Sequence, residues 1–436
     1  MAFVHSNSCD CSKSELDLFS LPPTQTHIES GGWVQYKPVS SVNESSSLEF
    51  VVPGQGDEYI DLSHTLLGIK AKIVKKADGA ALAAADDDIV GPVNNWLHSL
   101  FSQVDTYLNQ KIVSSPSNAY PYRSYLESLL SYGPAAKNSH VTCNLWVKDE
   151  PGKMDAADSA GLKARRAFTK RSKTVDMIGK VHGDLFNQEK YLLNGVELRL
   201  KFVRSRDVFC LIANANDYKI NIIEATLYVR RVKVSPTILL NHARALEKTT
   251  AKYPITRVDV RTNTIAAGVQ SASLDNLVNG QLPTRIIVGL VTNAAFTGSI
   301  TTNPFNFETF GMNYVSFHVD GQQIPGMILT PDFDNNEYIR AYHTLFSGTG
   351  IHYSDSGNEI SRSDYEQGYA LIALDFTPDL EAHVKSHWSL VRHGNLRLEL
   401  RFKAALANAV TIVSYAEFDN VVEIDRNRNV IVDFGA

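Results

Sequence analysis

The chain has 436 residues, enough for two domains of roughly 200 residues that each bury a core. Hydrophobic residues make up 44% and charged residues 20%, the balance of a folded protein and not of a disordered one. A formal net charge of −5 excludes a global attraction to nucleic acid or anionic lipid, so any such contact has to be local.

Residues 1–30 read as a polar, Ser-rich N-terminal arm. Its start, Met1-Ala-Phe-Val-His-Ser-Asn-Ser, lacks a basic segment and a long apolar stretch, so no secretory signal is expected. One apolar patch interrupts the arm, Leu16, Leu18, Phe19 and Leu21, and the stiff pair Pro22-Pro23 after it would hold the patch off its own core. Such a patch docks either on its own domain or on a neighbour, which makes these four residues candidate assembly contacts.

The first unit, residues 31–235, runs in short strands with turn punctuation. Residues 48–52 end at Pro53-Gly54, and residues 69–74 end near Asp78-Gly79. A helix is expected over 118–130. Leu198, Leu200 and Phe202 alternate with Arg199 and Lys201, the pattern of a strand with one buried and one wet face, and residues 220–234 close the unit.

A linker helix over 236–251 joins the halves: Ser235 suits the N-cap, Pro236 the first position, Leu239, Ala243 and Leu246 the apolar stripe, and Lys248 and Lys252 the C-terminal end. The second unit, 252–436, carries expected strands over 255–265, 285–291, 314–324, 369–376, 396–402, 410–418 and 430–434, with a helix over 335–346. No run of about 18 apolar residues occurs, so no helical membrane span is expected.

The two units repeat one plan. Pro92-x-Asn94 leads to Gln110-x-Ile112 as Pro304-x-Asn306 leads to Gln322-x-Ile324, at a constant offset of 212. Arg123-x-Tyr125 and Arg340-x-Tyr342 fall in the two expected helices, and Leu198, Leu200 and Phe202 are matched by Leu398, Leu400 and Phe402. Roughly eight short strands per unit with long excursions between some of them indicate an all-β fold of two jelly-roll sandwiches, a double jelly roll with short inserted helices.

Catalytic motifs are absent from the sequence: no nucleophile elbow, no phosphate-binding loop, no dinucleotide fingerprint, no H-E-x-x-H. No enzyme activity and no cofactor are therefore assigned. Asp332-Phe-Asp334-Asn-Asn336 starts like a calcium loop, but Glu337 stands where the turn needs glycine and His343 where the bidentate glutamate belongs, so it reads as a turn before a helix. His383, His387 and His393 read as a solvated or hydrogen-bonded loop, and Cys9 and Cys11, with His5 nearby, as part of a solvated tail, so no metal site is assigned. Cys143 and Cys210 lie in apolar segments and are expected to be buried, reduced thiols, which suits synthesis in the cytosol or nucleus. The sharpest charge feature is the run 163–173, with Arg165, Arg166, Lys170 and Arg171 as further candidate assembly contacts. Such a run can clamp an acidic neighbour, serve nuclear import or touch nucleic acid, or it is a solvated loop balanced by the acidic stretch 149–158.

The arm sequence 15–26, the stretch 92–113 with Leu97-His-Ser-Leu-Phe-Ser-Gln-Val104, Arg165-Arg-Ala-Phe-Thr169 through Gly179, Phe346-Ser-Gly-Thr-Gly350 and the ending 415–429 together resemble the major capsid proteins of Maverick/Polinton-type elements and adintovirus-like viruses. The resemblance covers essentially the whole chain. It implies a hexon-like structural protein whose homotrimers form pseudo-hexameric capsomers that tile an icosahedral shell around a double-stranded DNA genome. It also implies neighbouring capsomers, penton and minor capsid proteins as partners, an internal membrane as a further candidate for the arm, and no sequence-specific nucleic-acid contact. Virion localisation follows, with synthesis in the host cytoplasm and the nucleus as a site of assembly. Residues 118–132 and 134–194 are expected to supply much of the trimer interface. A carbohydrate-binding β-sandwich, using Trp33, Trp96, Trp146 or Trp388, is the alternative from a different functional class, and a jelly-roll metalloenzyme the third.

Overall fold

The computed structural model describes residues 4–42, 46–54, 56–324, 328–384 and 386–432. Its first half carries β1 (Ile28–Tyr36), β2 (Ser47–Val52), β3 (Glu58–Lys75), β4 (Gly91–Pro92), β5 (Phe101–Leu108), β6 (Lys111–Ile112), β7 (Val175–Lys180), β8 (Leu198–Arg204), β9 (Leu211–Ile212) and β10 (Tyr218–Val234). The second half carries β11 (Ala251–Ile265), β12 (Ser271–Gln281), β13 (Arg285–Thr292), β14 (Met312–Val319), β15 (Gln322–Gln323), β16 (Leu371–Asp375), β17 (His393–Phe402), β18 (Val410–Ile424) and β19 (Val430–Val432). The expected strand over 430–434 thus begins as foreseen, while residues 433 and 434 lie outside the described residues.

Apart from the small pair β4-β9 and the added β19, the halves have one topology. The first forms the sheets β1-β10-β3-β7 and β2-β8-β5-β6; the second forms β11-β18-β13-β16 and β12-β17-β14-β15. Counted along the main strands of each half, both give the orders 1-8-3-6 and 2-7-4-5, two antiparallel sheets facing each other as a jelly roll.

Hairpin chemistry sets the register of the repeat, and it differs from the register of matching residues. In β5-β6, Leu108 pairs with Lys111 around Asn109 and Gln110, both at positive φ; in β14-β15, Val319 pairs with Gln322 around Asp320 and Gly321, both again at positive φ. These are two-residue turns of the kind whose twist matches the strands. Leu108 therefore corresponds to Val319, and Gln110, a turn residue, does not correspond to Gln322, which opens a strand. The neighbouring strand follows: Leu198 lies opposite Leu108 and Leu396 opposite Val319. Leu198, Leu200 and Phe202 thus match Leu396, Leu398 and Leu400, two residues from the expected alignment. A slip of two keeps every side chain on its face, so all of these residues are buried as foreseen.

The linker helix spans Pro236–Leu246, and Ser235 makes no side-chain cap bond. It ends earlier than expected because Lys252 already belongs to β11, where it pairs with Glu423. None of the helix residues is fully buried.

The cores are not separate. One apolar cluster fills the first sandwich and continues into the second half through Tyr253, Val258, Phe305, Phe307 and Tyr369; a smaller one fills the second sandwich alone. The helix Tyr120–Ser131 stands at the junction, with Tyr122, Tyr125, Leu126 and Leu129 all buried. Its Tyr125 ring stacks on Phe305 at 4.2 Å between centroids and 2° between planes, and Tyr122 packs on Phe296 and Phe305, each at 5.7 Å. Beside them, Arg123 bonds Glu127 at 2.9 Å and Asp184 at 2.8 Å, His182 Nδ1 lies 2.6 Å from Glu127, and Asp184 accepts the Val258 N–H of β11 at 3.1 Å. The expectation that residues 118–132 face another subunit is corrected: in this helix they bind the two halves of one chain. Residues 134–194 are also not wholly an excursion, since they supply β7.

Two consequences of this junction are measurable. Tyr125→Ala removes the ring that stacks on the second half and is expected to lower the unfolding free energy by roughly 3–5 kcal/mol. Calorimetry should show the whole transition moving as one, and a new, separate transition would mean that the sandwiches unfold independently. Burial alone would raise the Glu127 carboxyl, but Arg123 and His182 outweigh it and hold it down at about 2. Its contribution is therefore complete above the ordinary carboxylate value of about 4.3 and is lost as the pH falls through about 2. Denaturant titrations should show the stability advantage of the natural chain over Glu127→Gln shrinking by roughly 3 kcal/mol between about pH 5 and about pH 2.

Candidate assembly surfaces

The arm lies open along residues 4–26. Its one helical turn, Ser14–Leu16, has no buried residue, and beyond it Phe19 is 97% and Leu21 90% exposed, with Leu16 and Leu18 nearly as open. Four apolar side chains in water on one short segment make a sticky patch without a cover in the chain itself.

The basic run is a helix, Ala160–Thr169, followed by a single turn, Lys170–Ser172. Helical spacing places Leu162, Arg165, Arg166 and Thr169 on one stripe, and all four are buried. The Arg165 guanidinium donates to Pro92 O at 3.0 Å, Val147 O at 2.8 Å and Asp149 Oδ1 at 2.6 Å. Arg166 donates to Ala157 O at 2.5 Å and Ile89 O at 3.0 Å. Arg165 and Arg166 are thus corrected from assembly contacts to interior posts: both are buried and bond carbonyls, and Arg165 also a carboxylate, of their own chain. Asp149 in turn accepts from Asn303 Nδ2 at 3.1 Å, while its carbonyl accepts the Tyr369 hydroxyl at 2.7 Å, so the arginine cluster also braces the second half. Lys170 and Arg171 stay exposed, within 3.9 Å of Asp88 and 3.6 Å of Asp87.

Strand β1 was not foreseen. Gly31-Gly32 breaks its apolar alternation, yet it forms the sheet edge beside β10, with Trp33 51% and Val34 37% exposed and no fully buried residue. Its counterpart by topology, β11, buries Tyr253, Ile255, Val258 and Val260. The difference lies in what covers the edge. Asp184 accepts from Val258 N, and Ser117 Oγ donates to Val260 O at 2.9 Å, so side chains of the first jelly roll satisfy backbone groups that the edge of β11 leaves unpaired.

Among the described residues, Asp379, Glu381 and His387 come close enough together to hold a metal ion. His387 Nε2 lies 3.0 Å from Asp379 and its hydrogen bond holds that carboxyl down at about 2, but this pair, with Glu381, is exposed to solvent. His383 and His393 do not join them in a ligand cluster among the described residues. Asp332 accepts from the backbone N–H and the side chain of Asn335, closing the would-be calcium loop on itself as a turn. Cys210 is buried and burial pushes its thiol up, as expected; Cys143 is exposed, a correction, because it falls in the short turn His140–Asn144 and not in a strand. Trp96 and Trp146 are core residues, which leaves Trp33 and Trp388 as the exposed tryptophans. Among the described residues, no helix is long and apolar enough to cross a membrane.

No sequence-family model matches the chain. An uncharacterized protein of Caenorhabditis elegans is 27% identical over 427 residues, 95% of this chain and 99% of the relative. Among solved structures, a chain of the Sputnik virophage is similar at a TM-score of 0.63, with 11% identity over 99% of this chain and 94% of that one. PBCV-1 VP54 gives 0.61, with 12% identity over 96% and 100%, and the mavirus major capsid protein 0.53, with 11% identity over 99% and 96%. At that identity the likeness is one of fold, and the chain has the double jelly-roll fold of these viral capsid proteins.

Proposed function

We propose that the chain is a structural major capsid protein of the Maverick/Polinton and adintovirus-like type. Three copies form a pseudo-hexameric capsomer, and capsomers tile an icosahedral shell around a double-stranded DNA genome. The observation that carries the reading is the repetition of one eight-strand jelly roll twice in a chain whose halves share a core. Two similar lobes per chain let three chains present six similar lobes to a planar lattice. The capsid proteins with the same fold support it. The role is structural and not enzymatic, and it needs no cofactor. The virion is the place of action, with neighbouring capsomers and with penton and minor capsid proteins as partners.

Purified protein is expected to run as a trimer of the 48.2 kDa chain in mass measurement and to show hexagonal outlines or shells in negative stain. The interface should be of the permanent class, above about 2,000 Å² in total. Monomers that bind a sugar matrix would instead favour the carbohydrate-binding reading.

The arm is assigned to assembly between capsomers, to a minor capsid protein or to an internal membrane beneath the shell. Deleting residues 1–21 is expected to leave the capsomer's melting temperature nearly unchanged while preventing closed shells, as seen by electron microscopy. Loss of soluble capsomer on that deletion would place the arm in the fold.

A further inference from the structure

The contact that joins the two jelly rolls of one chain has an unoccupied second version. In the first jelly roll a groove is walled by Val104 and Thr106 of β5, by Arg123 of the junction helix and by His182 and Gly183 after β7. Val258 and Val260 of β11 enter it, and only about 30 Å³ of space remains. By the hairpin register, Val104 and Thr106 correspond to Val315 and Phe317 of β14. These two residues line a groove of about 810 Å³ on the second jelly roll, together with Leu329, Ile339 and His343 of the helix Ile339–Ser347, and Leu380 after β16. Two wall residues of each groove thus hold the same positions of the repeat, and the lining of the second groove is mainly apolar. In the first jelly roll the groove is filled by a strand of the other half; in the second it stands open.

We propose that this open groove receives strand β1 of a second copy of the chain, which continues the β11 contact one lobe further. β1 is the topological counterpart of β11, lies at the same sheet edge, and is exposed where β11 is buried. Each chain thus offers this open groove and this exposed edge strand. They lie on different jelly rolls, so the contact runs head to tail, and a head-to-tail contact closes into a ring when the rotation per lobe is right. The inference rests on the self-assembling reading above and names the surfaces that would carry it. An uncovered edge strand and an uncovered apolar groove are each a liability in water, and placing one in the other removes both.

The test uses two variants of the full chain, each altered at exposed residues: Trp33→Asp with Val34→Asp on β1, and Ile339→Asp with Leu380→Asp at the groove. Native mass spectrometry at micromolar concentration should find each variant monomeric under conditions where the natural chain is oligomeric. Mixed one to one, they should form a dimer and nothing larger, because the intact groove of the first accepts the intact strand of the second. Recovery on mixing also shows that both variants are folded. Natural assembly by both variants would overturn the inference while leaving the capsid reading in place, and a mixture that stays monomeric would overturn it as well. Loss of assembly in a chain lacking residues 1–26 and in the groove variant, with the β1 variant assembling normally, would put the arm in the groove instead of β1. A natural chain that is monomeric at every concentration would defeat the capsid reading itself.

Discussion

The structure depends on a junction whose apolar interior is built from both jelly rolls. Tyr125 belongs to the first half by sequence, but its ring is stacked on Phe305 of the second. Asp149 sits between Arg165 and Asn303 and so is neutralised from one half and hydrogen-bonded from the other. Fully buried charge is tolerated only where it is paired and its remaining lone pairs are satisfied. Here the two conditions are met by different halves, which makes the angle between them a property of the chemistry and not of the linker.

That arrangement also sorts the surface. Elements that the sequence offers as contacts, the junction helix and the arginine pair, are used up inside the chain. What remains outward is of two kinds: the arm, with exposed apolar side chains beside two prolines, and β1, whose backbone is paired with β10 along one edge only. The first suits partners that vary in position, the second a partner in fixed register, since strand edges specify alignment through the pleat.

Much of the fold was legible because alternation and turn residues agree. Leu198, Leu200 and Phe202 declare a one-sided strand, and Pro53-Gly54 and Asp78-Gly79 mark where chains turn. The exact register was not legible from residue identity: Gln110 and Gln322 match by letter, while the turns fall at Asn109-Gln110 and Asp320-Gly321. Reading the Asp-Gly pair as a two-residue hairpin would have found the shift. Strands β1 and β12 escaped because both are edges with much of their length in water, so the apolar face that announces a strand is thin. The arginines were misplaced for a different reason. Charge clusters suggest surface, yet Leu162, Arg165, Arg166 and Thr169 fall at helical spacing, and on that stripe a guanidinium with several carbonyl partners can be interior. The groove on the second jelly roll has no local signal, since its walls come from segments up to about 65 residues apart.

The linker helix that buries nothing fully has a role in stoichiometry. Two sandwiches made as separate proteins would have to meet by diffusion and be produced in matched amounts. Joined by this tether they are present one to one, at an effective concentration on the order of millimolar for a short connection. The encounter cost is thereby removed, so the interface can hold groups that are expensive to bury, such as Arg123, Glu127 and Asp184, and still form. Fusion also breaks the equivalence of the two lobes: a substitution in one no longer alters the other. Each sandwich can then specialise, one towards its covalent neighbour and one towards strangers, while the count between them stays fixed.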